Sequence, residues 1–95
     1  MEKHRFPNKL KMFRRCCGYS QKKVARMLGF DDTSTLSRWE HGINLPGLEQ
    51  VIRLARIYRT QPHELFDELW NRIGEEFSLL TQDEESITSN QSFYL

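Results

Sequence analysis

The 95-residue chain has little in it that could staple, span or catalyse. Its two cysteines, Cys16 and Cys17, are adjacent. Neighbours on a helix diverge rather than face each other, so no internal disulfide is expected. No second cysteine pair stands at a zinc-like spacing, and His4, His41 and His63 are too scattered to form a ligand motif. No apolar run nears the roughly 18 residues that cross a bilayer. The opening MEKHRFPNKLK lacks the apolar centre of a leader peptide, so a cytoplasmic protein is expected. A supported Ser/His/Asp grouping, a phosphate-cradling glycine loop and a cysteine with a partner base are all missing. Glu75-Glu76 and Asp83-Glu84-Glu85 read as surface charge, not as a paired acid and base. The expectation is no enzyme, no cofactor and no metal. Strand patterns and internal repeats are absent too, which leaves an all-α chain just large enough to fold around one core.

The chain also has almost no net charge, +1, but this conceals an asymmetry. Residues 1–63 hold 13 Lys/Arg against 5 Asp/Glu, a balance of +8; residues 64–95 hold 1 against 8, a balance of −7. A basic body with an acidic end is a pattern of nucleic-acid proteins.

Apolar periodicity and punctuation predict five helices. Residues 1–7 are polar and expected to fray. Helix one runs from Asn8, as N-cap, to Cys17, with Leu10, Phe13 and Cys17 inward and Gly18 as its stop. Ser20 caps helix two, which turns Val24, Ala25 and Leu28 inward and ends at Gly29. Asp31, Asp32 and Thr33 suit the start of helix three, which buries Leu36 and Trp39 and closes at Gly42. Phe30 plugs the turn between them. Helix four covers Leu48–Tyr58, with Leu48, Val51, Leu54, Ala55 and Tyr58 inward. Pro62 opens helix five. There Leu65, Leu69, Ile73, Phe77 and Leu80 recur about every four residues, beside Phe66 and Trp70, and predict one amphipathic helix to Leu80. Residues 81–95 are polar and acidic and are expected to be disordered in isolation. The expected division is a domain over 1–66, an extended amphipathic helix over 67–80 and a flexible tail over 81–95.

Two short helices joined by a glycine turn define a helix-turn-helix, and Ala25 is small enough to let them cross closely. The wider pattern is more specific: L-x-x-F-R at 10–14, G-Y-S-Q at 18–21, V-A-x-x-L-G at 24–29 and S-T-L-S-R-W-E-x-G at 34–42. Pro46, Leu54-Ala55 and Glu64-Leu65-Phe66 continue it. On these residues, positions 10–66 resemble the phage-repressor and Cro-like (XRE-type) family, with the five-helix fold of the lambda-repressor DNA-binding domain. Three departures stand out: a turn after Gly29 one residue longer than in the shortest members, Gly47 where a serine cap is common, and Arg59 in place of a frequent glycine.

The resemblance implies double-stranded DNA as the partner. It implies that Thr33, Ser34, Ser37 and Arg38 face base edges in the major groove, with Arg38 suited to the two acceptors of guanine. It implies phosphate contacts for Gln21, for His41 and Asn44 on the far side, and for Lys22 or Lys23, which without the motif would read as a solvated face. Lys9, Lys11 and Arg15 read as solubility charges, and Trp39 as core. Arg14 and Glu40 match the family's internal ion pair. The stripe of Leu69, Trp70, Ile73 and Phe77 exceeds what so small a core needs and is expected to meet a second subunit in a homodimer. The expected function is a prokaryotic or phage-style transcriptional repressor. Two alternatives stand beside it. One is an antitoxin that binds an operator and covers a toxin with its tail. The other is an adaptor that docks on a protein through Trp70, Ile73 and Phe77.

Overall fold

The structure, a computed structural model, describes residues 6–80. All regular structure among them is helical: α1 (Leu10–Cys16), α2 (Gln21–Met27), α3 (Ser34–Glu40), α4 (Leu48–Tyr58), α5 (Pro62–Leu65) and α6 (Asp67–Leu80). No helix of these residues is long and apolar enough to cross a membrane. Residues 1–5 and the tail 81–95, expected to be disordered, lie outside the described residues.

One device ends the first four helices. After α2 the Phe30 amide reaches back to the Ala25 carbonyl at 2.9 Å and the Gly29 amide to Arg26 at 3.0 Å. After α3 the Ile43 amide bonds Arg38 at 3.0 Å and the Gly42 amide bonds Trp39 at 2.9 Å. Both are Schellman closures, which need a left-handed residue at the turn, and Gly29 (φ 85) and Gly42 (φ 73) supply it. The same bonds close α1 behind Gly18. They also close α4, but there Arg59 itself stands at φ 60, ψ 48.

The core is one cluster: Leu10 from α1, Val24, Ala25 and Leu28 from α2, Leu36 and Trp39 from α3, Leu54, Ala55 and Tyr58 from α4, Leu65 and Phe66. Leu10, Leu36, Leu54 and Leu65 are fully buried. Phe30 packs its edge on Trp39 at 5.7 Å between ring centres, which seats the turn against the back of α3.

Three expectations need correction. The single helix from Pro62 is two, broken at Phe66 (φ −131, ψ 50). Leu65 and Phe66 are consecutive and both buried, and a continuous helix would set them about 100° apart. The break admits both to the core and sends α6 outward, so α6 buries no residue. Leu48, expected inward, is 77% exposed as the first residue of α4, while Pro46 is buried just before it. Finally, Phe6, within the stretch expected to fray, is tied down: its amide bonds the Gly42 carbonyl at 3.2 Å, and nearby the Lys9 amide bonds the Leu65 carbonyl at 2.9 Å. Helix α1 accordingly begins at Leu10, with Lys9 at its N-cap, although the Asn8 side chain still accepts from the Leu10 amide at 3.0 Å.

Candidate nucleic-acid interface

Helix α3 is fastened from behind and presents one polar stripe in front. Leu36 and Trp39 are buried. Ser34, Ser37, Arg38 and His41 follow at i, i+3, i+4 and i+7, so they share a face. Ser34, Arg38 and His41 are exposed and Ser37 is half-buried. Thr33 is the N-cap, half-buried, and its side chain makes no cap bond. That task falls to Asp32, whose Oδ1 accepts from the Ser34 amide at 3.0 Å and from the Ser34 hydroxyl at 2.7 Å. The hydroxyl bond, then the amide bond, hold the Asp32 carboxyl below its usual range. Ser34 thus already spends its proton on the cap, and only its oxygen lone pairs remain to meet a partner.

The far end of the stripe is ordered by local bonds. His41 Nδ1 donates to the Ser37 carbonyl at 2.8 Å, which leaves Nε2 for an outside partner. With the Asn44 amide turned to the orientation that satisfies its neighbours, Arg38 Nε donates to the Asn44 oxygen at 3.3 Å and the Asn44 nitrogen donates to the Ile43 carbonyl at 3.1 Å. This bond restrains the Arg38 side chain while leaving its two terminal nitrogens for a bidentate contact.

Behind α3 lies a buried polar junction. Arg14 Nε donates to Glu40 Oε2 at 2.6 Å and Nη2 to Oε1 at 3.1 Å. Arg14 Nη1 reaches the Tyr19 carbonyl at 3.0 Å. The two side chains are only 10% and 2% exposed. The hydrogen bond to Glu40 raises the Arg14 pKa further above its already high ordinary value. Gln21 Nε2 joins the same carboxylate at 2.9 Å. Gln21, at the first position of α2, is thus tied inward to α3, and its amide oxygen carries no hydrogen bond among the described residues. Helices α1, α2 and α3 are pinned together by one carboxylate.

Lys22 and Lys23 are exposed on the first turn of α2, where Ser20 caps the Lys23 amide at 3.0 Å. Lys23 Nζ sits 5.4 Å from the centre of the Tyr19 ring, a cation–π contact that steadies it. Away from this face, Leu69 packs partly on the core, while Trp70, Ile73 and Phe77 are 60%, 45% and 62% exposed. Trp70 leans on the His63 ring at 4.8 Å. Cys16 and Cys17 are free thiols, the first exposed and the second facing the Tyr58 carbonyl at 3.8 Å. Among the described residues no group of His, Cys, Asp or Glu is placed to hold a metal ion.

Sequence reasoning missed Asn8 as more than a cap. Its Nδ2 donates to the Phe6 carbonyl at 2.9 Å and to the Trp39 carbonyl at 2.9 Å, across 31 positions. No local pattern signals a contact between residues so far apart. Asp31 and Asp32, expected as cap residues, are both exposed next to the start of α3.

Among known proteins, the helix-turn-helix domain family matches residues 8–69. No curated protein and no solved structure matches the chain. The matched segment runs from Asn8 through Leu69, so it takes in the tethered arm, the glycine turn and the fastened third helix alike. The chain belongs to the helix-turn-helix domain family.

Proposed function

We propose that this protein is a sequence-specific DNA-binding regulator of transcription of the phage-repressor and Cro-like type, and that it represses. The observation that carries the reading is α3 itself. It is held from behind by Trp39, Leu36 and the Arg14–Glu40 pair, and it offers Ser34, Ser37, Arg38 and His41 on one side. A helix so placed suits the major groove, where a guanidinium spans the O6 and N7 acceptors of guanine. Arg38 is the principal reader, with Ser37, Thr33 and Ser34 in supporting contacts. Lys22, Lys23, His41, Asn44 and the second N–H of the Gln21 amide, the first being given to Glu40, meet phosphates. Residues 67–80 act as a pairing element of their own. Through the apolar stripe of α6, two copies read half-sites about 34–36 Å apart and occlude a promoter.

The test is a titration of Arg38→Ala against a site selected from random DNA and against a random duplex. The variant should lose about 1–3 kcal/mol of discrimination, with non-specific binding little changed. Equal discrimination by both proteins would remove Arg38 from the reading role. The wild-type affinity should fall steeply with salt, because each neutralised phosphate releases counterions. Absence of a salt slope on any duplex would favour the adaptor reading, in which the exposed Trp70 and Ile73 dock on another protein. Loss of a toxin's neutralisation on deleting residues 81–95 would favour the antitoxin reading.

A further inference from the structure

The arm of residues 6–9 lies between the two ends of the molecule that the proposed function uses. Its bonds alternate. Phe6 N–H goes to the Gly42 carbonyl at 3.2 Å, just beyond α3. Asn8 Nδ2 goes to the Trp39 carbonyl at 2.9 Å, in the last turn of α3. Lys9 N–H goes to the Leu65 carbonyl at 2.9 Å, and Lys9 Nζ lies 3.0 Å from Asp67 at the start of α6. The side chain of Asn8 performs three tasks at once: one nitrogen donates to two carbonyls, of Phe6 and Trp39, and the oxygen accepts from Leu10 N–H. A side chain of this length needs both an amide nitrogen and an amide oxygen to do so. The Trp39 carbonyl already accepts from the Gly42 amide at 2.9 Å, and Asn8 takes its second lone pair.

We infer that Asn8 is a positioning residue for the recognition helix, and that the arm of residues 6–9 ties the carboxyl end of α3 to the α5–α6 junction. This rests on the DNA-reading role proposed for α3. Buried apolar contacts from Leu36 and Trp39 hold α3 against the core but leave rotation about its axis and sliding along it less constrained, since such contacts are non-directional. A hydrogen bond to a carbonyl is directional. The bonds of Arg14 and Gln21 to Glu40 restrain α3 on one side, and Asn8 adds the directional bond at its carboxyl end that completes the rotation deciding where Ser37, Arg38 and His41 point. The same arm holds the start of α6, so the reading helix and the proposed pairing helix share a common anchor.

The experiment compares Asn8→Asp and Asn8→Ala with the wild type in the full chain. Aspartate keeps the acceptor for Leu10 N–H but opposes a carboxylate to the carbonyls of Phe6 and Trp39. Alanine removes all three bonds and covers the case in which the charged variant does not fold. Two measurements are made: amide hydrogen exchange without DNA, and binding to a selected site and to a random duplex at one salt concentration. In the variants, exchange at His41, Gly42 and Ile43 should rise at least tenfold more than at Leu54 and Ala55 in α4. The ratio of selected-site to random affinity should fall at least tenfold, while random-duplex affinity moves less than threefold. Uniform acceleration of exchange across α3 and α4, or an unchanged affinity ratio in a folded variant, overturns the inference. So does equal loss of both affinities, which would mark Asn8 as merely structural. A wild-type chain that does not discriminate refutes the DNA reading itself, and the exchange result alone then decides the tether.

Discussion

Glu40 shows how a single side chain can organise a small fold. It is an acid with a nearly inaccessible carboxylate, and it accepts from Arg14 twice and from Gln21 once. Burying such a pair gains little over apolar packing, but breaking it strands a charge away from water. Glu40→Ala should therefore cost about 3 kcal/mol in urea unfolding, and Arg14→Met combined with Glu40→Leu should recover most of that loss. Tyr58 is the opposite case. Its ring is buried and its hydroxyl has no hydrogen-bond partner among the described residues. Burial, and then the nearby charge of Glu40, push its pKa well above the ordinary 10.0. The sign follows: the unfolded chain loses this proton first as pH rises, so the stability tied to the neutral phenol is whole below pH 10 and declines above it. Tyr58→Phe should leave stability at pH 7 unchanged or raise it by about 1 kcal/mol. It should also flatten the decline above pH 10, read by thermal denaturation across alkaline buffers.

Among the elements, α4 ends under strain where α1, α2 and α3 do not. All four use the same backward pair of bonds, but α4 places an arginine with a Cβ in the left-handed turn. A non-glycine residue there costs about 1–2 kcal/mol, less about 0.5–1 kcal/mol for the entropy a glycine adds to the unfolded chain. Arg59→Gly should raise stability by about 0.5–1 kcal/mol, measured as a shift in the denaturant midpoint. A fall in stability would mean that the exposed arginine makes up for its backbone. Helix α3 shows a different economy. Its cap is supplied not by Thr33 at the N-cap position but by Asp32 one residue earlier, so the hydroxyl of Ser34 is partly committed before any base is met. In the proposed function this leaves Arg38 and Ser37 as the principal readers on the stripe.

For the whole molecule, the decisive feature is the break at Phe66. It releases α6 from the core, and Trp70, Ile73 and Leu80 stand exposed on a helix that buries nothing. Substitutions on α6 should then separate assembly from folding. Ile73→Glu should change unfolding by less than about 0.5 kcal/mol. In the homodimer reading it should also yield a monomer in sedimentation and abolish cooperative occupancy of paired half-sites. A dimer that survives Ile73→Glu and Trp70→Glu together would place the pairing surface elsewhere. Charge is distributed on the same scale: all basic residues but Arg72 precede position 64 and 8 of the 13 acids lie from it onward, so an approaching polyanion is attracted to one part of the chain and repelled by the other.

Much of this was legible because it is local. Helix spans follow from apolar spacing, and the ends of α1, α2 and α3 follow from Gly18, Gly29 and Gly42, since a left-handed closure favours glycine just past the helix end. The inward set of α2 and α3 and the outward face at 33, 34, 37 and 38 follow from the same periodicity, while the alignment of His41 with that face came from the structure. Tertiary structure alone decided what depends on residues distant in sequence. The periodicity of 65–80 continues through Phe66, but the core accepts both Leu65 and Phe66 and bends the chain to do so. Asn8 looks like a helix cap and Lys9 like a solubility charge until Asn8 meets Trp39 and Lys9 meets Leu65. Gln21 looks like an outward anchor until its amide finds Glu40. The sequence by itself determined which helices form and which faces are apolar, because backbone closure and side-chain period act over one or two turns. The orientation of α3, the departure of α6 and the commitments of Asn8 and Gln21 came only from the fold, because a directional bond exists only once both partners have been brought together.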